Sequence, residues 1–143
     1  RPRFTIWCVV GSFADQVKEF ERDAMRKMDL ALRKIPLEIF SRIVFKSPVK
    51  YGRFRGNWQV AIGSVPSGTL EIDDLTGIAT VSKADLKLMG AKAGDTIYLA
   101  NNLPYAIPLE EGHSQQAPQG MVALTVQEFS DIVKKIGIEL SMK

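Results

Sequence analysis

The stretch FADQVKEFERDAMRKMDLALRKIPLEIFSRIVF, Phe13 to Phe45, decides the fold. Its apolar residues Phe13, Val17, Phe20, Ala24, Met28, Ala31, Ile35, Ile39 and Ile43 recur at steps of three and four, the spacing that aligns side chains along one face of an α-helix. On the other side, Asp23 with Lys27 and Asp29 with Arg33 set an acid four residues before a base, as on a solvated helical face. Ser12 precedes the pattern as a cap, with Asp15 three residues on. Pro36 removes a backbone donor and crowds the preceding turn, so a kink or a meeting of two helices is expected there. Ser47-Pro48 should end the helix, because a residue before proline is pushed out of the α region. The stripe is too short, and its flanking charges too irregular, to favour a coiled coil over packing on a sheet.

Downstream the period changes. Trp58, Val60 and Ile62 alternate with Gln59 and Ala61 as a half-buried strand. Val65 to Gly68 is a turn signal, Leu70 and Ile72 read as a short second strand or its edge, and Ile78 to Val81 as a third. Asp73 and Asp74, between strand candidates, read as turn residues. Ser82 with Asp85 should start a short helix through Leu88, ended by Gly90. Gly94-Asp95 then turns the chain into a strand at Thr96 to Leu99. Val122, Val126, Phe129, Val133, Ile136 and Leu140 step as a second amphipathic helix, capped near Pro118 or by Thr125 with Glu128. At the other end, the apolar run Ile6 to Val10 is shorter than the roughly 7–15 residues of a secretion signal and reads as a further strand. The expected architecture is α+β: one domain, residues 1–143, in which a small antiparallel sheet packs against a long N-terminal helix and a C-terminal helix whose apolar faces form the core.

Composition excludes several function classes. Nineteen basic against sixteen acidic residues leave a net charge of +3, too mild to mark a nucleic-acid binder by its total. One cysteine, Cys8, and one histidine, His113, can form neither an intrachain disulfide nor a four-ligand Cys/His zinc site, which fits synthesis in a reducing cytoplasm. No window approaches the about 18 apolar residues of a membrane span. Phosphate-loop, zinc-protease, nucleophile-elbow and calcium-loop motifs are absent. No catalytic residue, metal ligand or cofactor is assigned, and an enzyme is not expected.

Two segments remain as candidate surfaces. Asn101 to Met121, NNLPYAIPLEEGHSQQAPQGM, is a long connector shaped by prolines and glycines. Its Pro104, Tyr105, Pro108 and Gly112 read as a short helical turn with a defined stop, and residues 113 to 120 as an exposed, uncharged arm suited to protein contact. His113, Ser114 and Glu110 have the residue types of a triad, but adjacency in sequence does not make its geometry. The second segment carries Arg42, Lys46, Lys50, Arg53 and Arg55 with no acid between them, interleaved with Phe45, Tyr51, Phe54 and Trp58. Such a cluster attracts phosphate without reading sequence, or complements the end of a helix.

Two runs together carry a resemblance. SPVKYGRFRGNW, Ser47 to Trp58, is similar to the S-P-V-x-T-G-x-L-R-x-S-W signature of phage tail-component proteins, with Tyr51 where threonine is usual. YLANNLPYA, Tyr98 to Ala106, followed by Leu109, Glu110, Gly112, Ser114, Gln116, Ala117, Pro118, Gly120, Met121 and Val122, resembles the same family's second signature. The family is the neck and tail-completion group of long-tailed bacteriophages, including the minor tail protein Z type. The resemblance implies a virion protein that forms a ring, usually hexameric, at the head-proximal end of the tail. There it would contact the tail tube or terminator protein on one side and head-side stopper or connector proteins on the other, with DNA passing non-specifically through the lumen. A tail terminator that caps tube polymerisation is the alternative at the same junction, and a sequence-independent DNA-binding module the alternative of another class. A ring needs two different complementary surfaces on each protomer. Asn101, Asn102, Pro104, Tyr105, Glu110, His113, Ser114, Gln115, Gln116 and Pro118 are expected at the interface with neighbouring subunits or partners. Arg42, Lys46, Lys50, Arg53 and Arg55 are expected on a separate surface near DNA.

Overall fold

The computed structural model describes residues 2–142, with side chains described from Phe13 onward. In chain order the elements are α1 (Pro2–Lys46), α2 (Arg53–Gly56), β1 (Trp58–Ile62), α3 (Ile78–Leu88), β2 (Ile97–Asn101), α4 (Ala106–Glu110), α5 (Val122–Gln127) and α6 (Phe129–Ser141). The α+β class holds, with helix predominating over a two-stranded antiparallel sheet. In the sheet Trp58 faces Asn101, Val60 faces Leu99 and Ile62 faces Ile97.

The period of three and four does specify one helix, and it ends at Lys46, before Ser47-Pro48. Pro36 sits inside α1, which continues through it as a single element and not as two helices meeting. Ser12 lies within α1 and is not its cap, and the strand expected at Ile6 to Val10 falls in the same helix. The side chains of both lie outside those described. Only the C-terminal half of the stripe is core. Phe40, Ile43 and Val44 are buried with Phe54, Trp58, Val60, Ala84, Leu88 and Met121, while Phe13, Val17, Phe20 and Met28 stay 67%, 51%, 76% and 59% exposed. Among the described residues no other element extends far enough to cover them.

Two expected strands are absent. Residues 70–73 form no strand, yet they are held beside β1 by a side chain: fully buried Asn57 donates from Nδ2 to the carbonyls of Arg53 (2.8 Å) and Leu70 (3.0 Å), and its Oδ1 accepts from Leu70 N–H (2.7 Å). An amide side chain thus satisfies backbone groups that a ladder would otherwise pair. Ile78 to Val81 is not a strand but the first turn of α3, because Asp74 supplies the start signal from upstream. Its carboxylate accepts from the N–H groups of Gly77 and Thr80, both at 2.9 Å, and from Thr80 Oγ1 at 2.7 Å. The alternation of apolar residues there is that of a short helix face, with Thr80, Ala84 and Leu88 inward.

The second amphipathic stretch is broken at Glu128 into α5 and α6. The buried residues of α6 are Ile132, Ile136 and Leu140, packed on Leu30, Ala31, Ile35 and Ile39 of α1. Of the residues expected inside, Val122, Val126, Phe129 and Val133 face solvent. The buried positions Thr125, Ile132, Ile136 and Leu140 step by seven and four, one residue out of phase with the expected stripe Val122, Val126, Phe129 and Val133. Thr125 caps nothing: inside α5, its Oγ1 donates back to Met121 O.

Burial opposes the Asp74 charge, but the hydroxyl and N–H of Thr80 and the N–H of Gly77 hold its carboxyl below the ordinary 3.8. Its contribution to stability is therefore complete above pH 3.8 and is lost as pH falls through the lower folded value. Asp74→Ala should cost about 2 kcal/mol in urea denaturation at neutral pH, and the cost should shrink in acid below about pH 4.

Candidate functional site

The segments Ser47–Trp58 and Tyr98–Val122, distant in sequence, are built into each other. Gln116 binds the backbone of Val49 on both sides, its Oε1 accepting from Val49 N–H (2.8 Å) and its Nε2 donating to Val49 O (3.0 Å). Asn101 Nδ2 donates to Phe54 O at 2.9 Å. The Phe54 ring meets Trp58 edge-on at 5.8 Å and Tyr105 at 6.1 Å, a geometry that ring quadrupoles favour. Trp58 Nε1 donates to Ser47 Oγ at 2.8 Å, and that hydroxyl donates in turn to Ile43 O. Between the two segments lies an apolar groove of about 440 Å³, walled by Val49, Tyr51, Phe54, Tyr105 and Leu109.

Glycine makes the approach possible. Gly52 has φ +90°, and a Cβ there would collide with the backbone of Asp74. Gly52 O accepts from both Gly56 N–H and Asp74 N–H, tying α2 to the start of α3. At the other segment Gly120, φ +82°, lies against Glu110, leaving no space for a side chain. Glu110 then closes the loop: its carboxylate accepts from the N–H groups of Met121, Val122 and Ala123 at 2.9–3.0 Å. Those are donors that the start of a helix leaves unpaired. Burial opposes its charge, but the three N–H groups hold the carboxyl below 4.5.

The short helical turn read at Pro104 to Gly112 is α4, with His113 N–H donating to Pro108 O just after it. Residues 113 to 120 are not a free arm. Ala117 is buried in the core, Gly120 is buried against Glu110, and Ser114 Oγ accepts from Gln116 N–H. Asn101, Asn102, Glu110 and Gln116 are thus engaged within the chain, Asn102 with the carbonyls of Pro66 and Gly68. Pro104, Tyr105, His113, Gln115 and Pro118 are exposed. Glu110 spends its carboxylate on backbone donors and not on His113.

The basic segment has acidic partners that sequence proximity hid. Arg42 binds Glu38 (3.0 Å) and Glu128 (2.8 Å), and Lys46 binds Glu128 at 2.7 Å. Arg53 binds Asp73 (2.6 Å) and Glu71 (2.8 Å). Arg55 donates to the carbonyls of Phe45, Ser47 and Leu75. Lys50 meets no carboxylate among the described residues and lies 5.3 Å from the centre of the Tyr51 ring. The interface and basic sets do not occupy separate surfaces either: Tyr105, Ser114 and Gln116 line the same groove as Lys50 and Arg53.

No family model, curated protein or solved structure matches the chain. Among the described residues no three His, Cys, Asp or Glu side chains cluster to hold a metal ion, and no helix is long and apolar enough to cross a membrane. The site offers a shaped apolar groove whose lining includes Lys50, which meets no carboxylate among the described residues.

Glu110→Ala should cost about 1–2 kcal/mol. It should also speed hydrogen exchange at Met121, Val122 and Ala123 well beyond the change at Val60, which checks that the loss is local. Because the folded pKa of Glu110 lies below 4.5, the stabilisation is present above that pH and lost as acid titrates the group.

Proposed function

We propose that this chain is a structural virion protein that completes the head-proximal end of a long-tailed phage tail and joins it to the head, as a ring around the DNA channel. The observation that carries this reading is the apolar stripe Phe13, Val17, Phe20 and Met28, left exposed on a helix that is otherwise part of the core. Exposed apolar surface arranged along one face marks an interaction site. The groove, which begins at Pro48 just past the end of α1, lies far along that helix from the stripe, so each protomer carries two unlike surfaces, as a head-to-tail ring requires. The two runs that resemble the neck family are the ones that wall the groove, which agrees with a role in assembly.

DNA, on this reading, passes through the lumen without being gripped by the Arg42 to Arg55 segment. Arg42, Lys46 and Arg53 already hold carboxylates. DNA affinity of the purified protein should be weak and its salt dependence shallow. Glu128→Gln, which frees Lys46 and leaves Arg42 with Glu38 alone, should steepen the slope of log affinity against log salt by about 1. Tight, steeply salt-dependent binding by the wild-type monomer would instead favour a DNA-binding module.

In a phage lacking the gene, heads and tails should each form and fail to join, and labelled protein should map to the neck of complemented particles. Tails of uncontrolled length would assign the terminator role. Normal infectious particles would overturn both.

A further inference from the structure

Phe20 projects from α1 between Glu19 and Glu21 and is 76% exposed. Neither glutamate forms an ion pair among the described residues, whereas Asp23 one turn on is held by Arg26 and Lys27. The stripe thus presents an aromatic ring flanked by two unpaired carboxylates. The groove between Pro48 and Gln116 is its chemical counterpart. Its walls are apolar and aromatic, no acidic residue lines it, and Lys50 stands at its rim without a carboxylate. Arg53, also at the rim, is taken by Asp73 and Glu71.

A chain cannot fill its own groove with its own Phe20. α1 runs unbroken from Phe20 to Lys46, and at about 1.5 Å per residue some 40 Å of rigid helix separates the two. A Phe20 turn in this groove must therefore come from another molecule. We infer that the groove receives the Glu19-Phe20-Glu21 turn of α1 from a second copy of this chain, with the ring among Tyr51, Phe54 and Tyr105 and the carboxylates toward Lys50. The contact joins unlike surfaces and therefore propagates from copy to copy. It rests on the ring reading only for its closure, and the contact itself stands or falls separately.

The test uses the full chain with p-benzoylphenylalanine in place of Phe20, an equal mixture of isotopically light and heavy protein, irradiation across a concentration series, and peptide mapping. Expected are light–heavy crosslinks joining position 20 to residues 48–54 or 105–116. Lys50→Glu should lower their yield about tenfold, since it sets like charges face to face, and Glu19→Lys with Glu21→Lys should restore it in the Lys50→Glu background. Thermal melts of each variant check that it folds; should Lys50→Glu fail to fold, Lys50→Ala takes its place with a smaller expected loss. Crosslinks that map elsewhere, that are absent up to about 1 mM protein, or that ignore Lys50 in a folded variant overturn the contact. Native mass measurement separates the two ideas. Crosslinks at the groove in open chains keep the contact and remove the ring, and closed rings without groove crosslinks do the reverse.

Discussion

The Arg55 guanidinium fixes the end of α1, and the remainder of the body is built from that point. It donates to the carbonyls of Phe45 and Ser47 at the helix terminus and to Leu75 on the approach to α3. The last carbonyls of a helix have no partner within it, and a buried unpaired carbonyl is costly. One planar side chain satisfies several at once and, because its donors form a rigid fork, also sets the direction in which the chain leaves. Ser47 extends the same fixture, linking Ile43 of α1 to Trp58 of β1. Helix, strand and the approach to α3 are thereby held in one orientation by two residues eight apart.

Elsewhere side chains take over work that a larger sheet would do. Two strands alone are marginal in water, and here Asn57 pins residue 70 beside β1, Gln116 pairs with Val49, and Glu110 supplies the donors' partner at the start of α5. Each of these contacts bridges from about eleven to sixty-seven residues of sequence at the cost of ordering a single side chain. Substituting polar side chains for ladder pairs keeps long connectors in shape without making them regular. It also explains why a groove can be walled by segments that are mostly loop.

Local signals were legible and distant ones were not. The three-and-four spacing of Phe13 to Ile43, the stop at Ser47-Pro48, and the alternation of Trp58, Val60 and Ile62 each act through neighbours in sequence, and each appears in the structure. The start of α3 is hidden in the sequence because Asp74, whose carboxylate accepts from Gly77 and Thr80 N–H, stands ahead of the helix in a run with turn composition. The basic run looked unpaired because its acids, Glu71, Asp73 and Glu128, lie far along the chain. A stripe of apolar residues, likewise, states that a face wants cover but not that cover exists: Ile39 packs on α6, and Phe20 packs on nothing among the described residues.

That last difference follows from lengths. The thirteen residues of α6 extend about 20 Å, enough to cover α1 from Ile39 back to Leu30 and no further. Beyond it the same face continues through Met28, Phe20, Val17 and Phe13 into solvent. Burying one such side chain is worth about 1.5–3 kcal/mol, so the stripe forgoes several kcal/mol in the isolated protomer. Mixed charges along the same turns, Lys18, Glu19, Glu21 and Arg22, keep the rod soluble without covering its apolar face. A helix that only had to close this core could end near Leu30. The extra turns are apolar on one side and charged on the others, and an apolar face left in water along several turns is the form that interaction surfaces take.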